Sequence, residues 1–202
     1  MQLTLIFGDK DRWVCAMDDP IPPLPPPMLL AISYTPVHLR ERLRWLLQFD
    51  RRMAQLVEKA AEPIFAQMRL AWWRDTLAKP AAARPKGEPL LAALHELEDD
   101  PVLLVAASPL VDAAELNVAG EADMAKAERS GAITKAYANW VGADRQMAEK
   151  LAFAWAGQGD DSMTSYPRAL RPLTILAMAE RLEANARSGA GLRLVWHALT
   201  GR

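Results

Sequence analysis

WLLQFDRRMAQLVEKAAEPIFAQMRLAWWRDTL, residues 45–77, is the stretch that decides the fold. It reads as two consecutive helices, because Glu62-Pro63 puts a proline where a helix tolerates it best, at its first position. The first helix holds an acid within its apolar stripe. The second is apolar nearly all round, yet carries Arg69, Arg74 and Asp75. Burying an ionised group without a partner is expensive. These charges therefore pair with each other, hold a ligand, or lie elsewhere than the periodicity puts them.

At 100° per residue, Leu39, Leu43, Leu46, Leu47, Met53, Ala54 and Val57 share one face of the first helix. Asp50 lies in the middle of that face, while Arg44, Gln48, Arg51 and Gln55 point away. Aspartate is rarely fully buried unless paired. One reading makes Asp50 a carboxylate aimed into a bundle cavity to hold a divalent cation. The other bonds it to an arginine of the next helix, Arg69 or Arg74. On the second helix Ile64, Met68, Ala71 and Asp75 align, Leu70, Trp73 and Leu77 cover another side, and Phe65 and Trp72 fill much of the rest. Such a helix is expected at the centre of a bundle. Phe65, Met68, Trp72 and Trp73 then either wall an apolar pocket or form plain core.

Working outward, the punctuation is helical throughout. Thr35 is expected to cap a helix with Pro36 at its first position. The second helix runs from Pro63 to about Ala78, and a Pro, Gly and Lys loop over residues 80–89 precedes a helix through LLAALHELE. Ser108-Pro109 is expected to open a short helix. GEADMAKAERSGAITKAYANW and ADRQMAEKLAFAWAG make two more, parted near Gly142. The loop GQGDDSMTS leads into PRALRPLTILAMAERLEANAR, and GLRLVWHALTGR closes the chain. No strand-like alternation follows residue 7, so the fold class is all-α. Residues 1–28 differ: QLTLIF suits a short strand, and PIPPLPPP forces an extended segment. They are expected to be an unstructured or mis-started extension, with the helical domain over 29–202.

Composition narrows the function. The 202 residues suit one domain, and 24 basic against 25 acidic residues leave no excess positive charge for nucleic acid. Cys15 is the single cysteine, which fits a reducing compartment. No apolar run reaches the roughly 20 residues of a bilayer span. A cytoplasmic protein is expected, with at most peripheral contact with the inner membrane. His38, His95 and His197 lack zinc-ligand spacing, and no phosphate loop or nucleophile elbow occurs. Asp99-Asp100 and Asp160-Asp161 read as solvated loop acids. Arg168 and Arg171 either contact a phosphate or sit at a helix start.

The runs F-D-R-R-M-A-Q-L-V and A-E-P-I-F-A-Q-M-R-L-A-W-W-R-D-T-L resemble the squalene/phytoene synthase family. They are especially similar to its small bacterial members and to the related phytoene-synthase-like assembly factor of mitochondrial complex I. Y-P-R-A-L-R-P-L and A-L-T-G-R are similar to the ends of the bacterial members. The resemblance covers residues 29–202. It implies a shortened isoprenoid-synthase helical bundle. Active members join two prenyl diphosphates head to head, using Mg2+ held by two aspartate-rich motifs on facing helices. The cations neutralise the leaving diphosphate, and a dry aromatic cavity protects the carbocation. On this resemblance Asp50 is the metal ligand, and Arg69 and Arg74 are candidates for the diphosphate.

The departures from the pattern bear on activity. Ala54 stands where the second acid of the first motif is expected, and Glu58 and Glu62 are not one turn from Asp50. Residues 136–156 and 167–187 carry no D-x-x-E-D or D-x-x-x-D. Three functions are therefore expected in turn. The first is a pseudoenzyme, a non-catalytic binding or assembly factor with a respiratory-complex protein as partner. The second is a magnesium-dependent prenyltransferase. The third is a carrier of an isoprenoid lipid.

Overall fold

The structure, a computed structural model, describes residues 20–159 and 165–184 together with Ala198. The described residues form eight α-helices and no strand. These are α1 (Pro26–Ser33), α2 (Arg40–Glu58), α3 (Pro63–Leu77), α4 (Pro89–Glu96), α5 (Pro101–Val118), α6 (Ala122–Val141), α7 (Arg145–Trp155) and α8 (Arg171–Ala184). The expected all-α class is what the chain adopts. QLTLIF, Asp160-Asp161 and all of the closing GLRLVWHALTGR except Ala198 lie outside the described residues.

The helix starts follow from local chemistry. Pro26, Pro63, Pro89 and Pro101 each occupy the first position of a helix, where the missing N–H removes no bond. Side-chain carboxylates of Glu88, Asp100 and Asp144 accept from free N–H groups at the starts of α4, α5 and α7. Gly142 ends α6 in the left-handed region, with φ of 61°.

α2 is the axis of the bundle, packing against α1, α3, α4, α5 and α6. Its stripe is buried as expected at Leu39, Leu43, Leu46, Leu47 and Met53, and Trp45, Phe49 and Leu56 are buried as well. Trp45 stacks on Phe49 with centroids 5.1 Å apart, and Phe49 meets Trp73 of α3 edge-on at 5.2 Å. The Trp45 indole N–H donates to the Leu90 carbonyl at 2.7 Å, so this ring is buried without leaving a donor unpaired.

Several expectations need correction. α3 is not central: it rests on α2 and α5 through Ala66, Leu70, Trp73 and Thr76. Ile64, Phe65 and Met68 are 51%, 49% and 57% exposed. Being apolar all round does not place a helix at the centre when α2 has already filled it. Thr35 does not cap α2, because its hydroxyl donates back to the Ala31 carbonyl of α1 and a 3-10 turn intervenes. Pro109 lies inside α5 rather than opening a helix, since Asp100 and Pro101 start α5 two turns earlier. Asp100 also accepts from Arg42 Nε at 2.6 Å, and Asp99 pairs with Arg84, so neither is simply a solvated loop acid.

The domain boundary expected at residue 28 falls within α1. Ile21 and Leu24 pack against the core, and the Pro20 carbonyl accepts from the buried Arg52 at 3.2 Å. α5 is 18 residues long and apolar enough to span a bilayer by length and composition. It packs against α2, α3 and α6, with 39% of its residues buried.

Candidate functional site

A cleft of about 260 Å³ opens where α1, α2, α6 and α8 meet. Pro25, Pro27 and Met28 form one wall, and Asp50, Arg51 and Ala54 of α2 form the floor. Arg129 comes from α6, and Leu176, Ala179, Glu180 and Glu183 come from α8.

Arg129 organises the charges. Its Nε donates to Asp50 Oδ1 at 2.7 Å and its Nη2 to Asp50 Oδ2 at 2.8 Å, a bidentate pair. Its Nη1 donates to Glu180 Oε1 at 2.5 Å. The other oxygen of Glu180 accepts from the Trp155 indole N–H of α7 at 2.8 Å. The guanidinium carbon also lies 5.6 Å from the Trp155 ring centroid, a cation–π contact. Four helices thus meet in one network. Desolvation works against the charge on Arg129, but attraction to Asp50 and Glu180 and the bonds to them outweigh it. The Arg129 pKa is raised above its ordinary value, so the group stays a cation at any working pH.

Asp50 is buried in the apolar face of α2, where the periodicity placed it. Its partner is neither Arg69 nor Arg74. Arg74 turns the other way and donates to Asp112 at 2.9 Å and Glu115 at 2.6 Å, tying α3 to α5. Those two hydrogen bonds raise the Arg74 pKa. Arg69 is half-buried, Asp75 is exposed, and neither lines the cleft. Trp73 is core, and Trp72 meets it edge-on at 5.2 Å. Phe65 and Met68, expected as pocket walls, are the half-exposed residues of α3. None of these four lines the cleft.

Arg129, Glu180 and Trp155 did not emerge from the sequence reading. A signal for two of them exists. Arg129 is in register with the buried Ala125, Ala132 and Ala136, and Glu180 with the buried Leu173, Leu176 and Ala177. Each is a charge within an apolar stripe, the same anomaly that singled out Asp50. Glu180 and Glu183 also stand three residues apart on α8, an E-x-x-E spacing outside the aspartate patterns sought there.

Magnesium needs a near-octahedral shell of oxygens. Both oxygens of Asp50 are bonded to Arg129, both of Glu180 are bonded to Arg129 and Trp155, and Ala54 offers none. Among the described residues no group of three or more His, Cys, Asp or Glu could hold a metal ion. A divalent cation does not fit these residues as they stand.

The sequence profile for squalene/phytoene synthase matches residues 27–140, more than half of the chain. No curated protein and no solved structure matches it. The matched region spans α2 and α3, with Asp50 and the M-R-L-A-W-W-R-D run, and includes Arg129. The chain belongs to the squalene/phytoene synthase family.

Proposed function

We propose that this family member works by binding and not by prenyl transfer, as a non-catalytic assembly or scaffolding factor. Members of the family typically use Mg2+, and the observation that carries the proposal is the internal use of Asp50 and Glu180, two of the three carboxylates that line the cleft. Every oxygen of Asp50 and Glu180 already bonds a side chain of the protein.

The face offered to a partner in this proposal is that of α3. Ile64, Phe65 and Met68 leave three large apolar side chains half-exposed within five positions. Scattered exposed apolar residues are ordinary, whereas a large contiguous apolar patch marks a contact surface. By the resemblance of the M-R-L-A-W-W-R-D helix, the partner proposed is a protein of a respiratory complex.

Thermal melts with and without Mg2+ and a non-reactive farnesyl diphosphate analogue test the proposal. A ligand at 100 times its Kd stabilises the folded state by about 2.7 kcal/mol. No shift is expected at saturating analogue. A magnesium-dependent rise would overturn the binding-only reading and call for turnover assays.

A further inference from the structure

The charge set in the cleft is closed in an unusual way. Asp50 of α2 and Glu180 of α8 face each other across a position filled by the guanidinium of Arg129 from α6. Their like charges repel, and the guanidinium between them offsets that repulsion. Arg129 supplies that cation from within an otherwise small, apolar stripe of α6. Aliphatic side chains at all three positions would avoid the desolvation altogether. The triad is therefore not the arrangement that packing alone would select.

We infer that Arg129 is a resident cation, a covalently attached replacement for a dissociable divalent ion between the helices bearing Asp50 and Glu180. The inference rests on the binding-only reading and deepens it: the cleft keeps a positive centre while its dependence on a free metal is gone. It also explains why the cleft tolerates Ala54. One guanidinium satisfies Asp50 through two bonds, so no second acid is needed beside it to complete a metal shell.

The consequence is specific to this residue. Removing the guanidinium leaves Asp50 and Glu180 facing each other, with Glu183 and the cation Arg51 on the same cleft, and frees the carboxylate oxygens that Arg129 had held for a metal ion. The test compares the full chain with Arg129→Ala and with Arg129→Met, which keeps the aliphatic volume. Melts are recorded with MnCl2 and with NaCl at matched ionic strength, and bound Mn2+ is counted by electron paramagnetic resonance. The parent is expected to show no Mn2+-dependent rise. The variants should melt lower and regain at least about 4 °C with Mn2+ at many times its Kd. That gain should vanish in the Arg129→Met, Asp50→Asn double variant. For a variant that folds poorly, refolding yield with and without Mn2+ reads the same quantity.

Variants that lose stability but neither bind nor respond to Mn2+ would overturn the inference, as would an equal response in the parent. A rise of the parent with Mg2+ and the farnesyl diphosphate analogue together is a different result. It would overturn the binding-only reading.

Discussion

Asp50 and Arg129 are joined by two near-parallel hydrogen bonds of 2.7 Å and 2.8 Å, although 79 positions separate them in the chain. The Asp50 side chain is 8% exposed and that of Arg129 21%. Removing Asp50 takes away two of the three charge-assisted bonds of Arg129 and leaves Glu180 as its partner. Asp50→Ala is expected to destabilise the fold by about 3 kcal/mol, the low end for breaking a buried pair, read from urea unfolding. A neutral or stabilising result would show the pair contributes nothing structural.

Trp155 contributes to the same network in two separable ways. Trp155→Phe removes the N–H that bonds Glu180 Oε2 but keeps an aromatic face near Arg129. A loss of about 1–2 kcal/mol is expected, at the low end for a bond to a charged group, because Glu180 is partly open to water. Trp155→Leu should cost more, since the cation–π contact goes too. Equal losses for the two variants would assign the whole effect to the indole N–H.

The α3 face separates partner binding from stability. Met68→Glu changes a side chain that is 57% exposed and should move the stability by no more than about 0.5 kcal/mol. Leu70→Ala, two positions on and fully buried, should cost about 2–5 kcal/mol. A candidate partner captured by the parent and lost on Met68→Glu, with an unchanged melt, locates the contact on this face. Retention of the partner would move it elsewhere.

Alkaline pH reports on Tyr137, which is completely buried on α6. Burial pushes its pKa up from the ordinary 10.0, and the neighbouring Thr35 hydroxyl offsets part of this. A phenol whose pKa is higher folded than unfolded contributes full stability below the unfolded value. Above about pH 10 the unfolded chain ionises first, so stability falls by up to about 1.4 kcal/mol per pH unit until the folded pKa is passed. Tyr137→Phe should lack this component. Parallel alkaline profiles for the two proteins would rule it out.

What the sequence reveals here is what a single helix can report about itself. The stripe of α2, the start of α3 at Pro63 and the break at Gly142 all follow from periodicity and capping, and all are present. Asp50 stood out because its anomaly lies within one helix. Its partner did not, because the choice among Arg69, Arg74 and Arg129 depends on which helices α2 touches on that side, and this is a property of the whole bundle. The position of α3 fails for the same reason. An all-round apolar helix suits either the centre or a contact surface, and the packing around α2 decides between them. Ser108-Pro109 misled because proline is tolerated within α5, where the strong start at Asp100-Pro101 and the packing of the helix outweigh one missing bond.

The Arg129 junction also bears on how long the folded chain survives. Its bonds reach 79 positions back to Asp50 and 51 forward to Glu180, so they close only after the helices carrying them have been brought together. Contacts of that separation are expected to form after the folding barrier, and such contacts stand in the unfolding barrier alone. Weakening the junction should therefore leave the refolding rate almost unchanged and shorten the lifetime of the native state, making Arg129 a kinetic latch on the assembled bundle.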